Sequence, residues 1–171
     1  GAGGGLLVAI LMAYPEIEGI LVDRPEAVEH ARERLTADGL LDRCRLVAAD
    51  LMETVPEGAD VYIMKAVLHG CVDDDARQIL ANCRAVMAPE SRLLIIEVVL
   101  PERIERADPE LEGSLMADLN MLVATGGQER RLSQWRRLLE SAGFELLQVT
   151  PVASGNAGVI EARPVSARKT S

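Results

Sequence analysis

Glycines 1, 3, 4 and 5 open the sequence, and acids stand at positions 23 and 50. At this spacing, these residue types can hold a nucleoside. Without a Cβ, the backbone at Gly1, Gly3, Gly4 and Gly5 can turn and come close to a ligand. The apolar run Leu6-Leu7-Val8-Ala9-Ile10-Leu11 reads as a helix whose unpaired N–H groups and positive dipole end face that ligand. Asp23 follows the strand-like Ile17-Glu18-Gly19-Ile20-Leu21-Val22 and lies 19 positions after Gly4. An acid about twenty residues beyond a glycine turn places a carboxylate on ribose hydroxyls in a nucleotide-binding strand–helix–strand unit. Asp50 ends a second strand-like run, and acids at strand ends on one edge are what an open α/β ligand site requires. The alternative, a glycine-rich terminus that is merely flexible, does not account for the two acids.

The 171 residues suffice for one domain with a sizeable core. They are 49% hydrophobic but only 2% aromatic, so the core is built of Leu, Val, Ile, Ala and Met. Trp135, Phe144, Tyr14 and Tyr62 are the only rings, too few for a base-stacking platform. A formal charge of −9 also opposes binding to a phosphate backbone, so no nucleic-acid partner is expected. No apolar run approaches the ~20 residues that span a bilayer, and nothing resembles a secretion signal. Cys44, Cys71 and Cys83 are odd in number and form no CxxC, which indicates neither a disulfide framework nor a zinc site. The expectation is a cytoplasmic protein without metal or membrane partners.

The elements that must position these residues alternate. Leu6 to Ala13 is helical and Pro15 stops it. Pro25 starts a helix to about Ala37, with Val28, Ala31 and Leu35 on its apolar face and Gly39 closing it. Short strands follow at Arg45 to Ala49 and Asp60 to Met64, the second running into Lys65-Ala66-Val67-Leu68-His69. Asp73, Asp74 and Asp75 suit a helix start, and Ala76, Ile79, Leu80, Cys83, Val86 and Met87 share its face up to Pro89. The apolar run Arg92 to Leu100 predicts a strand buried on both faces. Glu97 interrupts it, and a charge there is costly unless partnered, which points to function. A helix from about Leu111 carries Leu115, Met116, Leu119, Leu122 and Val123 to Gly126-Gly127. Ser133 is the expected cap of a helix from Gln134 to Ala142. Phe144 to Val149 and Gly158 to Ala162 form two last strands, joined through Ser154-Gly155-Asn156, and the residues after Pro164 a polar tail. Alternating strands and helices mean an α/β sheet in three layers. Glycine-turn folds place this loop directly after a first strand, and the chain begins on the loop, so either the sequence is a fragment or the sheet closes without that strand, and a fragment is the expectation.

The chain resembles the catalytic domain of S-adenosylmethionine-dependent O-methyltransferases of the caffeic acid and polyketide type. The likeness runs from Gly1 to about Arg163. It is carried by the glycine loop, Leu21-Val22-Asp23-Arg24-Pro25, Ala49-Asp50-Leu51-Met52, Met64-Lys65-Ala66-Val67-Leu68-His69 and Met87-Ala88-Pro89. Further blocks are Ile96-Glu97-Val98-Val99-Leu100-Pro101, Gly126-Gly127-Gln128-Glu129-Arg130 and the Leu-Leu-x-x-Ala-Gly-Phe pattern of Leu138 to Phe144. The resemblance implies a Rossmann-like class I methyltransferase sheet with helices on both faces, a catalytic domain at residues 1–163 and a disordered tail at 164–171. It also implies that Gly1, Gly3 and Gly4 line the methionine end of S-adenosylmethionine, Asp23 holds the ribose, Asp50 and Leu51 the adenine, and Lys65 the cofactor's edge. His69 would be the general base, flanked by Glu97 and Glu129, and Asp118 and Met121 would line the pocket of a small hydroxyl acceptor. Family members carry an N-terminal helical domain that dimerises and helps cover the substrate; the expectation is that this chain lacks it.

Each implied residue has a blander reading. A histidine after an apolar stretch is commonly structural, and Glu129 among Gln128, Arg130 and Arg131 suits a solvated surface. Asp23 and Asp50 also suit turns at strand ends, and Lys65 alone suits a surface. The family usually has Asp-Trp after the histidine where this chain has Gly70-Cys71, and usually leucine where it has Arg24. Two other functions compete. A nicotinamide-dependent oxidoreductase wants G-x-G-x-x-G, but Leu6 stands three after Gly3. A truncated or degenerate member would bind cofactor without methyl transfer.

Overall fold

The computed structural model describes residues 2–104, 109–152 and 157–165. The chain divides into two compact units, Gly1–Ala59 and Asp60–Ser171.

In the first unit a 3-10 turn, Ala2–Gly4, leads into α1 (Gly5–Ala13), followed by β1 (Gly19–Asp23), α2 (Pro25–Ala37) and β2 (Cys44–Ala48). β1 and β2 pair in parallel, with Gly19 opposite Cys44 and Asp23 opposite Ala48. The i, i+3, i+7 spacing of Val28, Ala31 and Leu35 turns one face of α2 onto Val8, Leu11 and Leu21 to make the unit's core. β1 begins two residues later than the apolar pattern suggests. Ile17 belongs to the connection, where its carbonyl, with those of Leu11 and Tyr14, accepts from the Arg43 guanidinium. One arginine thus satisfies carbonyls at the end of α1.

The second unit contains β3 (Val61–Lys65), a 3-10 turn at Leu68–Gly70, α3 (Asp73–Val86), β4 (Arg92–Leu100) and α4 (Pro109–Thr125). These precede β5 (Arg130–Arg131), α5 (Leu132–Ser141), β6 (Phe144–Pro151) and β7 (Ala157–Pro164). Strand order is β3-β4-β7-β6, and β5 adds a short pairing at the far end of β4. β3 and β4 are parallel, whereas β7 runs antiparallel between β4 and β6. The α/β class expected from the alternation is the one observed. Among the described residues no helix is long and apolar enough to cross a membrane.

Four expectations shift. β4 is not buried on both faces: Leu93, Ile95 and Glu97 are buried, while Leu94, Ile96 and Val98 alternate as half-buried residues. α4 buries Leu111 and Ser114 and half-buries Leu115, Asp118 and Met121, a helical stripe that leaves Met116, Leu119, Leu122 and Val123 exposed. Ser133 is not the cap of α5. The helix already begins at Leu132, and the Ser133 amide and hydroxyl donate to the Glu102 carboxylate at 2.7 and 2.8 Å. Pro164 pairs with Phe144, and the Val165 amide donates to the Gly143 carbonyl, so strand pairing continues past position 163. The loop 154–156 and the tail from 166 lie outside the described residues.

Candidate active site

In the first unit the sequence pattern becomes a turn and an edge. Gly3 and Gly4 adopt φ of 71° and 76°, left-handed values that L side chains rarely take. A Cβ at Gly4 would stand 3.1 Å from Leu21 Cδ1, whereas at Gly3 it would meet nothing within 4 Å. Gly4 therefore packs the loop onto β1, and Gly3 leaves open space beside the start of α1. Gly1 lies outside the described residues. Asp23 closes β1, and its carbonyl accepts the Ala49 amide at 3.0 Å, which brings Asp23 and Asp50 to the same C-terminal edge of the strand pair. The Asp50 side chain accepts the Met52 amide at 2.8 Å, fixing a turn in which Leu51 is half-buried. Open glycine backbone at a helix start, with carboxylates on the adjoining strand ends, fits a nucleoside with a charged tail.

The second unit gathers His69, Glu97 and Glu129. β3 ends at the exposed Lys65, and Ala66 then takes φ 52°, the single described non-glycine residue at positive φ. This reversal throws the chain into the 3-10 turn that carries His69. Strain of this kind persists only where the surroundings fix it. The surroundings include Glu97, whose Oε1 accepts the Val67 and Leu68 amides at 2.8 and 2.9 Å. That partnership explains the charge inside an apolar strand. Burial pushes the Glu97 carboxyl above the ordinary value, opposed by the charge of His69 and by the Val67, Leu68 and His69 amides. His69 Nδ1 lies 2.9 Å from Glu129 Oε1 and 3.7 Å from Glu97 Oε2. Both carboxylate side chains are 1% exposed and the imidazole is 23% exposed. Glu129 Oε2 is buried without a hydrogen-bond partner among the described residues.

Nδ1 facing two carboxylates can bear a proton or meet a cation, and the three donor sets lie within 4.8 Å of one another. The proton accounts better for the geometry. Nδ1 to Oε1 is an ordinary N–H···O distance, and Glu97 Oε1 is already occupied by two amides. With Nδ1–H donating to Glu129, the ring's lone pair lies on Nε2.

Asp118 and Met121 lie on α4, three residues apart and both half-buried. Asp118 Oδ1 accepts the Glu129 amide at 2.7 Å. Its visible role is to hold the backbone of Glu129. The parts played by Arg130 and Asp73 and the closeness of Gly127 to the turn are not legible in the sequence. Arg130 is fully buried, a clear signal in three dimensions but an unremarkable one in the run Gln128-Glu129-Arg130-Arg131. The Gly127 signal was present in Gly126-Gly127, where it reads only as a helix stop.

Residues 1–145 match the family model for the O-methyltransferase domain. The chain is 41% identical over 163 residues to the mitomycin biosynthesis 6-O-methyltransferase of Streptomyces lavendulae, covering 95% of this chain and 45% of that protein. It is 43% identical over 166 residues to the phenazine O-methyltransferase PhzM of Lysobacter antibioticus, covering 96% and 47%. Among solved structures, the mitomycin 7-O-methyltransferase MmcR superposes with a TM-score of 0.89 at 41% identity, covering 96% of this chain and 47% of that one. The chain thus spans less than half the length of these relatives. A family model over most of its length, a Rossmann-like α/β neighbour at that TM-score and the blocks of sequence agree: the chain belongs to the O-methyltransferase domain family.

Proposed function

We propose that the protein containing this chain transfers a methyl group from S-adenosylmethionine to a hydroxyl of a small phenolic or polyketide-like molecule in secondary metabolism, with His69 as the general base. The observation that carries this reading is His69 Nδ1 at 2.9 Å from Glu129, on a turn whose amides rest on Glu97. Support for cofactor and acceptor class comes from a relative of known structure. NcsB1, from neocarzinostatin biosynthesis, was solved with S-adenosylmethionine and 2-hydroxy-5-methyl naphthoic acid, and it superposes with a TM-score of 0.85 at 28% identity, covering 96% of this chain and 47% of that one. Neither the nicotinamide oxidoreductase nor the degenerate reading is favoured by these likenesses.

S-adenosylmethionine supplies an electrophilic methyl group on a sulfonium. The chain's residues then have to bind, align and deprotonate. We assign cofactor binding to Gly1, Gly3, Gly4, Asp23, Asp50, Leu51 and Lys65, within a catalytic domain at residues 1–163. Alignment of an acceptor oxygen with the methyl group is worth up to ~7–11 kcal/mol. A phenol with pKa ~10 is largely protonated near neutrality. His69 Nε2 takes its proton as the oxygen attacks, which typically contributes ~10²–10⁴-fold. Glu129 holds the Nδ1–H tautomer and offsets the imidazolium charge, while Glu97 fixes the turn. Met121 lines the acceptor pocket, and Asp118 acts there through Glu129. The family's usual Asp-Trp after the histidine is Gly70-Cys71 here, but both carboxylates behind the ring remain. The whole protein is proposed to be cytoplasmic and homodimeric.

The test is His69→Ala in the full-length protein. The expected result is loss of methyl transfer by ~10²–10⁴-fold with S-adenosylhomocysteine affinity unchanged. Equal loss of both, or retained transfer, would overturn the assignment.

A further inference from the structure

We propose that Arg130 is a positioning residue for His69: held by Asp73, it clamps the carbonyls on either side of the histidine and so sets the alignment of the imidazole with Glu129. This rests on the reading of His69 as the base.

The turn that carries His69 is short and follows a strained residue, and Glu97 holds only its entry through the Val67 and Leu68 amides. A 3-10 turn of three residues has few internal hydrogen bonds, and Ala66 at φ 52° enters it against the intrinsic preference of the chain. Arg130 supplies what the turn lacks. Its Nη1 donates to the Leu68 carbonyl at 2.7 Å and its Nη2 to the Cys71 carbonyl at 3.0 Å, one bond before and one after His69. The carbonyl of His69 itself accepts the Gln128 amide at 2.8 Å. The carbonyls of Leu68, His69 and Cys71 are therefore gripped by the segment 128–130, and Glu129, in the middle of that segment, meets Nδ1. Backbone and carboxylate are held in one frame.

Arg130 is itself fixed. Nε and Nη2 donate to Asp73 Oδ1 at 3.0 and 2.8 Å, Gln128 Nε2 donates to the same oxygen at 2.9 Å, and the guanidinium lies 5.3 Å from the Trp135 ring centroid. Gly127 completes the fit. A Cβ there would overlap the His69 carbonyl oxygen and stand 2.7 Å from the Gly70 carbonyl carbon, so only glycine allows the segment to approach this closely. A buried charge is weak evidence for stability, because apolar replacements of similar volume are often as stable. The guanidinium fork does what such a replacement cannot. It reaches two carbonyls and a carboxylate in one plane, which an ammonium on a flexible stem does not reproduce.

The test uses full-length protein labelled with ¹⁵N in histidine, with His69→Ala identifying the His69 ring signals among those of the other histidines. Wild type is expected to show a protonated Nδ1 and an unprotonated Nε2 on His69. In Arg130→Lys and Arg130→Gln the ring nitrogens should average between tautomers. Their kcat should fall about 10²-fold, the cost of a misplacement near 1 Å, while acceptor KM and S-adenosylhomocysteine affinity stay within about threefold. Asp73→Asn, altering a side chain that is 58% exposed, should fold as wild type and lose kcat about tenfold with the same spectral change. Folded variants that keep the wild-type tautomer and kcat overturn the clamp. So does parallel loss of stability, cofactor affinity and rate with the tautomer intact, the signature of a purely structural residue. If the Arg130 variants do not fold, an unchanged spectrum and kcat in Asp73→Asn overturns it alone. Wild-type transfer by His69→Ala would overturn the base reading instead, leaving the ¹⁵N spectra to judge the clamp.

Discussion

At Glu97 the cost of a buried charge and the need for an acceptor meet in one side chain. Two amides lie on Oε1 and the imidazole of His69 is near Oε2, yet burial wins and pushes the carboxyl above its ordinary value. A carboxyl whose folded pKa is raised favours its protonated form in the folded state. That contribution is complete below the unfolded value and is lost as pH rises through the folded one. Glu97→Gln removes the titration but keeps an oxygen for the Val67 and Leu68 amides. The stability of wild type relative to Glu97→Gln should therefore decline as pH rises above the ordinary carboxylate range. Urea melts at a series of pH values check this, and a flat or rising difference would refute it.

At the scale of elements, two helix starts depend on carboxylates from elsewhere in the chain or from their own first turn. α3 opens on Asp73, Asp74 and Asp75, which suit the positive dipole end. α5 has no such acids; the Glu102 carboxylate reaches its first turn instead and accepts both the amide and the hydroxyl of Ser133. The Ser133 amide and hydroxyl, with Arg131 and Arg137 nearby, hold Glu102 below the ordinary carboxylate value. Stability from this depressed carboxyl is present above the unfolded value and is lost as pH falls through the folded one. Glu102→Gln should lower the melting temperature at neutral pH, and the difference from wild type should shrink on acidification. A difference that grows at low pH would contradict the contact. Because the group is exposed, added salt should also reduce the effect.

For the whole molecule the decisive property is ligand linkage. The residues assigned to the cofactor must act through binding to the folded state alone. S-adenosylhomocysteine at 100 times its dissociation constant should then add ~2.7 kcal/mol to the stability of the full-length protein, seen as a raised melting temperature. NAD at the same concentration should add nothing. No shift with S-adenosylhomocysteine, or an equal shift with NAD, would count against Gly3, Asp23 and Asp50 as a working site.

The sequence by itself determined the elements and the family. Val28, Ala31 and Leu35 fixed the inner face of α2 because helical periodicity is local, and Gly3, Gly4, Asp23 and Asp50 fall where strand ends and turns dictate. His69, Glu97 and Glu129 could be singled out one by one, through a family pattern and through a charge in an apolar strand. Only the tertiary structure decided how they work together. Nothing local says that Glu129, sixty residues from His69, lies against Nδ1, that Asp118 holds the Glu129 amide, or that Arg130 grips the carbonyls around the histidine. The insertion of β7 between β4 and β6 is equally non-local. Periodicity encodes which face of an element is covered, whereas the partners of a buried polar group are set by which distant segments are packed against it.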